Sequence, residues 1–493
     1  MPNSDPFRGV PLVLWGILLL LGPSTGAVQA QAPTVPSAGE ESAWSGQLPI
    51  EVRRDHPDRA GLLPVDVTFA LPVDSMADAT RPRRELRLVY VREEERREVP
   101  FQLSRLSVRR EDTGEASVPT LTGQITFFEV TPHDPDGRYL LLYGNDEADP
   151  PEYETDLAVR GEAPGWTLEN SALVARLEEG SGQLDSVTLK SHPDRPYANE
   201  SGPLHWNPGI SIPERGWVHA YDWNPPAQVH IERGPLFVEV RRRGPFPGIP
   251  EAHLEVTYRV FKERAYVWSG TRIRVDDEIG VTALRNDELV FNPSLFTHLA
   301  WAEDGTVRQG RFDNYEPVND HGDLLRLPHD VPLVAFYNPE TQMGAATVRM
   351  EAMNVGPAAA SPTQFDRATY LVDDENLTYW FRSQVYLHAD WPRRQLITVP
   401  AGAEFIERNL YCFYDTDTWG GRSGGSSGCR TLPGTSPTCA WGCTKCRPLG
   451  NGAGFLYPFQ AQARCPLGFS RKSTRRRAFD RQLGADFPTD CLL

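Results

Sequence analysis

Cysteine is missing from the first 411 residues of this 493-residue chain; all seven lie between Cys412 and Cys491. The body of the protein therefore uses no disulfides and offers no thiolate metal site. Positive charge is also scarce, since 50 Lys and Arg face 66 Asp and Glu for a net charge of −16. That balance gives no general attraction to phosphate backbones or anionic lipid, and it excludes nucleic acid as an expected partner. The single long apolar run, residues 10–21, is too short and too close to Gly22-Pro23 to span a bilayer, so no integral membrane span is expected after processing. Nucleophile-elbow, phosphate-loop, His-Glu-x-x-His and EF-hand signatures are lacking as well. No cofactor or metal is implied, and nucleotide chemistry has no support.

The two ends differ from the middle. Arg8, the apolar run and Val28-Gln29-Ala30 form an export signal with cleavage expected after Ala30, which predicts a secreted or periplasmic protein. Residues 31–48, rich in Ala, Pro, Ser and Gly, read as a linker. From Gly421 onward eleven Lys and Arg stand against Asp480, Asp486 and Asp490, so that stretch carries +8 and the remainder −24. Residues 415–493 thus read as a basic, Cys- and Gly-rich tail, either disordered or the product of a reading-frame change near Tyr414. Cys439-x3-Cys443-x2-Cys446 does not match a zinc spacing, and no histidine follows His388.

Between these ends the pattern is β. Apolar residues alternate at 65–69, 86–91, 124–128 and 139–143, with Val, Phe and Tyr enriched and turns at 134–137 and 149–151. No long stretch carries a helical period. The expected class is all-β: a small antiparallel β domain over 49–162, leaving through Pro150-Pro151 and 161–165, then a large β-sandwich over 163–414.

The second unit opens with Trp166 to Glu169-Asn170, a strand at 173–177, the turn Gly180-Ser181-Gly182 and a strand at 184–189. Long strand-like runs follow at 234–240, 254–261 and 266–275. This succession resembles the β-sandwich of the galactose mutarotase-like superfamily, which includes the C-terminal part of α-mannosidases and sandwich domains of polysaccharide lyases. Residues 49–162 are similar, more weakly, to the small β-barrel of exo-acting rhamnogalacturonan lyase-like proteins. The resemblance implies a carbohydrate-active protein with a polysaccharide or oligosaccharide partner. It carries no catalytic residue across, so candidate sites rest on chemistry.

The densest constellation runs from His205-Trp206-Asn207-Pro208-Gly209 through Trp217, His219, Tyr221, Asp222 and Trp223. Its Pro and Gly content predicts an ordered loop folded over the sheet. Aromatic faces match the CH faces of sugar rings, whereas the alternative is that the tryptophans pack the core. A second cluster is Arg285-Asn286-Asp287-Glu288, where period two sends Arg285 and Asp287 one way and Asn286 and Glu288 the other. Its plainer reading is an Arg–carboxylate pair on a solvated face. His321 sits in a third, turn-like group, and seven of eleven histidines fall between His205 and His329.

The favoured function is an exported polysaccharide lyase acting on uronate-containing glycans. His219 or Tyr221 would serve as base and acid, and Arg285 and Asn286 would neutralise the carboxylate. His205, Trp206, Trp217, Trp223, Asp287, Glu288 and His321 would hold substrate. A hydrolase would need two facing carboxylates from among Asp222, Asp287 and Glu288. A noncatalytic glycan-binding or surface-scaffold protein would need only the aromatic platform. The lyase reading requires the 205–223 and 285–288 segments to meet in one cleft, with His219, Tyr221 and Arg285 on its walls.

Overall fold

The structure is a computed structural model that describes residues 44–52, 63–76, 78, 81–112, 117–130, 137–213, 215–303, 306–312, 324–329, 331, 333–357, 367–372, 377–380, 396–416 and 461–462. The signal segment, His321 and most of the basic tail lie outside the described residues. The chain is all-β, as its period-two pattern implies, and helical elements among the described residues are short 3-10 turns. No helix among them is long and apolar enough to cross a membrane.

Two four-stranded sheets form the N-terminal part. Gly46–Ile50, Arg138–Tyr143, Leu86–Arg92 and Glu95–Glu98 lie in that order in one sheet. Val65–Pro72, Ser117–Phe127 and Phe101–Asp112 lie in the other, with Ala461–Gln462 running parallel beside Val67 and Thr68. Alternate residues Val65, Val67, Phe69 and Leu71 face Leu86, Leu88, Tyr90 and Leu141 across one apolar core. The other face of the first sheet is also covered, because Val89, Val91, Leu140 and Leu142 pack with Trp44.

A nine-stranded antiparallel sheet dominates the remainder. Its strands, numbered in chain order, are β1 (Gln228–Arg233), β2 (Phe237–Phe246), β3 (Ile249–Phe261), β4 (Tyr266–Val275), β5 (His298–Glu303), β6 (Thr306–Arg311), β7 (Leu333–Asn338), β8 (Met343–Val355) and β9 (Glu404–Asp415). Their spatial order is β1-β2-β3-β4-β9-β8-β7-β5-β6. Register puts Val240, Tyr258, Ser269 and Asn409 in one row, and Val238, Val260, Val267 and Tyr411 in the next row on the same face. That inner face packs against a five-stranded sheet, Ala158–Arg160 to Tyr197–Ala198, and against residues 204–223 and 284–291. Asn170 fixes the opening hairpin. Its side-chain oxygen accepts from the backbone N–H groups of Ala172 (2.8 Å) and Leu173 (2.7 Å), while its nitrogen donates to the Phe261 and Arg264 carbonyls.

The outer face carries a buried charge cluster where the N-terminal part docks. Arg259 Nε meets Glu239 Oε2 at 2.6 Å and Nη1 meets Asp66 Oδ2 at 2.9 Å. The guanidinium lies between the Phe237 and Trp268 rings, 4.8 and 4.9 Å from their centroids. Gln102 Oε1 accepts from the Leu236 and Phe237 amides, tying the same two regions together.

Candidate functional site

Residues some eighty positions apart in sequence are zipped together above the inner face. The Trp206 amide donates to the Glu288 carbonyl (2.8 Å), the Val290 amide to the Leu204 carbonyl (2.8 Å), and His205 bridges Leu289. A three-stranded sheet continues the contact, with Gly209–Ile212 between Gly216–His219 and Ala283–Arg285. The stretch expected to be an ordered loop is therefore largely a hairpin, followed by a 3-10 turn at Ala220–Asp222. Pro208 and Pro213 flank its first strand and confine it to four residues. Its register sets Gly209 opposite both His219 and Arg285, so these two side chains project from one face with a glycine between them. The 205–223 and 285–288 segments do meet.

Alternation divides the expected site residues into two groups. His205 is 0% and Asp287 1% exposed, and both point into the sandwich rather than toward solvent. His205 Nδ1 lies 2.6 Å from the Tyr258 hydroxyl and Nε2 2.9 Å from Asp287 Oδ1. The Tyr411 hydroxyl donates to the same Asp287 oxygen at 2.5 Å, and Asn409 Nδ2 donates to Oδ2 at 2.6 Å. Burial pushes the Tyr258 phenol up to about 12, and burial together with Asp287 lifts Tyr411 well above its ordinary value, so both remain donors. This network corrects the assignment of His205 and Asp287 to substrate binding: both ring nitrogens of His205 and both carboxylate oxygens of Asp287 are partnered in the core.

Trp223 needs the same correction. It is 6% exposed, belongs to the apolar core, and donates its indole N–H to the Pro245 carbonyl at 2.8 Å. Asn286 is also wholly buried, with neither amide atom hydrogen-bonded. Its burial leaves it no open face from which to hold a substrate carboxylate.

The remaining expected residues form a half-open aromatic corner. His219 stacks between Trp217 (5.6 Å, 16°) and Tyr221 (4.7 Å, 10°), and Trp206 meets His219 and Tyr221 edge-on at 5.9 and 5.0 Å. Arg285 covers Trp217, its guanidinium carbon 4.6 Å from the ring centroid. Glu288 Oε2 accepts from Arg285 Nη1 at 3.0 Å and from the Asn207 side-chain amide. Asn207 Oδ1 is buried without a partner. Gly209 makes the crowding possible: a Cβ there would stand 2.4 Å from Asn207 Oδ1 and 2.7 Å from His219 Cδ2. Asp222 lies at the rim, its carboxylate accepting from the His219 amide at 2.7 Å.

Electrostatics leave the corner with neutral hydrogen-bonding groups. Burial, aided by the charge of Arg285, holds the His219 imidazole down at about 4, so it is neutral at pH 7. Burial, with Asp222 and Glu288 adding to it, lifts the Tyr221 phenol to about 12. Asn207 and Gly209 belong to the corner although they were not singled out as site residues. Tyr258 supplies the buried network from β3, whose 254–261 run read only as a strand, and Asn409 and Tyr411 supply it from β9, which the sequence reading did not single out.

No protein-family model matches the chain, and no curated protein matches it. Among solved structures, a glycosyl hydrolase family 38 protein from Enterococcus faecalis superposes with a TM-score of 0.39 at 11% identity, covering 76% of this chain and 43% of that one. Galactose 1-epimerase from Lactobacillus acidophilus gives 0.33 at 10% identity, covering 54% of this chain and 99% of that one. A galactose mutarotase-like protein from Lactobacillus casei gives 0.33 at 14%, covering 50% and 99%. The chain thus spans less than half the length of the family 38 protein. Likenesses of this degree assign neither substrate nor reaction.

Proposed function

We propose that the aromatic corner is a glycan-binding site and that the protein is a carbohydrate-active protein working outside the cytoplasm. The observation that carries this reading is the half-open stack of Trp217, His219 and Tyr221, edged by Trp206 and faced by Arg285. Sugar rings present apolar CH faces that aromatic surfaces cover, and hydroxyls that neutral donors and acceptors satisfy. The site supplies both kinds of group, with an uncharged imidazole and a protonated phenol beside the rings. Hydrolysis has the least support from the carboxylates: Asp287 is sealed in the core, and Glu288 is engaged by Arg285 and Asn207.

The test is a panel of purified polysaccharides incubated with the exported protein, recording binding, new reducing ends and ultraviolet absorbance of unsaturated products. Binding that is lost on Trp217→Ala without loss of fold supports the reading. Absorbance together with new ends would establish β-elimination, the reaction favoured from sequence. A protein that binds no glycan in the panel refutes the proposal. The division into units at 49–162 and 163–414 is part of the same proposal and is checked by limited proteolysis. Export is checked by N-terminal sequencing of secreted material, expected to begin at Gln31.

A further inference from the structure

We infer that Glu288 is the specificity-determining residue of this corner, and that by holding Arg285 it turns the site toward uncharged sugars and away from uronates. The inference rests on the glycan reading above. In sequence, Arg285 was the obvious clamp for a carboxylate, because a guanidinium fork suits that group. In the fold its Nη1 already donates to Glu288 Oε2 at 3.0 Å, and its flat face is spent on the Trp217 ring.

A carboxylate brought to Arg285 would also be brought to Glu288, and the repulsion from one would cancel most of the attraction to the other. Glu288 cannot easily turn aside. It is 5% exposed, and the same oxygen that receives Arg285 also receives the amide of the wholly buried Asn207. The oxygen of that amide and the His219 ring both border the space over Gly209. The other charged group placed at the corner, Asp222, is a further anion at the rim. His219, the one group that could have gained positive charge, is kept neutral by burial. Shape therefore suits a sugar ring, and charge suits one without an acid group.

The experiment compares matched pairs of oligosaccharides, galactose against galacturonate and glucose against glucuronate. Binding is measured by calorimetry at low and high salt for the wild type and Glu288→Gln. For the wild type, the neutral member of a pair is expected to bind at least about tenfold more tightly, with little dependence on salt. Glu288→Gln should gain about tenfold for the uronate member, and that gain should shrink at high salt. A wild type that prefers the uronate overturns the inference while leaving the glycan site standing. Binding of neither member of any pair removes the glycan reading and this inference with it. Should the variant fail to fold, the wild-type comparison decides alone.

Discussion

Acidification should destabilise this protein through one imidazole, and the size of the effect follows from where His219 sits. Its ring is 8% exposed, between Trp217 and Tyr221, and burial first and Arg285 second hold it at about 4 instead of 6.5. In the unfolded chain the same ring takes up a proton near 6.5. Lowering the pH therefore favours the unfolded state: the contribution is fully present above about 6.5 and is lost progressively as the pH falls toward 4. At 1.36 kcal/mol for each pH unit, the interval from 6.5 to about 4 amounts to about 3 kcal/mol. Urea unfolding of the wild type and of His219→Gln at pH 7.5 and 4 isolates this effect, because the protein's other titrating groups are common to both. The wild type should lose about 3 kcal/mol more than the variant across that range. Equal losses would refute the claim that a buried, neutral imidazole sits at the corner, as would an NMR titration placing His219 near 6.5.

Much of the strand inventory was legible because period two survives wherever one face is buried. The runs at 173–177, 184–189 and 266–275 coincide with observed strands. Sheet order was not legible. β9 lies between β4 and β8, and such pairing depends on chain returns that leave no local trace. Nor could alternation reveal that Leu86–Arg92 is covered on both faces, since Trp44 supplies the second cover from outside the strand.

At the site, residue types announced the neighbourhood and the backbone decided the roles. Trp217 and Trp223 read alike in sequence, yet Trp217 stays on the hairpin face and Trp223, beyond the 3-10 turn, is carried into the core. Arg285 and Asp287 were expected on one side of a regular strand. The strand ends at Arg285, so Glu288 comes round to pair with Arg285 while Asp287 drops inward to His205. A three-residue strand was too short to register in a hydrophobic pattern, and that shortness moved Glu288 from a substrate ligand to the partner of the cation.

The aromatic pair gives a direct contrast: Trp223→Ala should cost about 3–5 kcal/mol in urea unfolding, as buried tryptophans do, whereas Trp217→Ala should cost clearly less and weaken glycan binding. Arg259→Leu should cost about 3–5 kcal/mol because it strands Glu239, which is 0% exposed, and a variant as stable as the wild type would show that the Asp66–Arg259–Glu239 cluster does not hold the N-terminal part to the sheet. Gly209→Ala tests the corner from beneath. Its new Cβ would press on Asn207 Oδ1 and on the His219 ring, and Asn207 is anchored to Glu288, so the ring is the group that must yield. Overpacking of this kind costs about 1–3 kcal/mol. Displacement toward water should also relieve the desolvation that holds the imidazole at about 4, raising its titration midpoint and flattening the acid loss of stability. If Gly209→Ala left the His219 titration where it was, the glycine would not be what lets the ring sink between Trp217 and Tyr221.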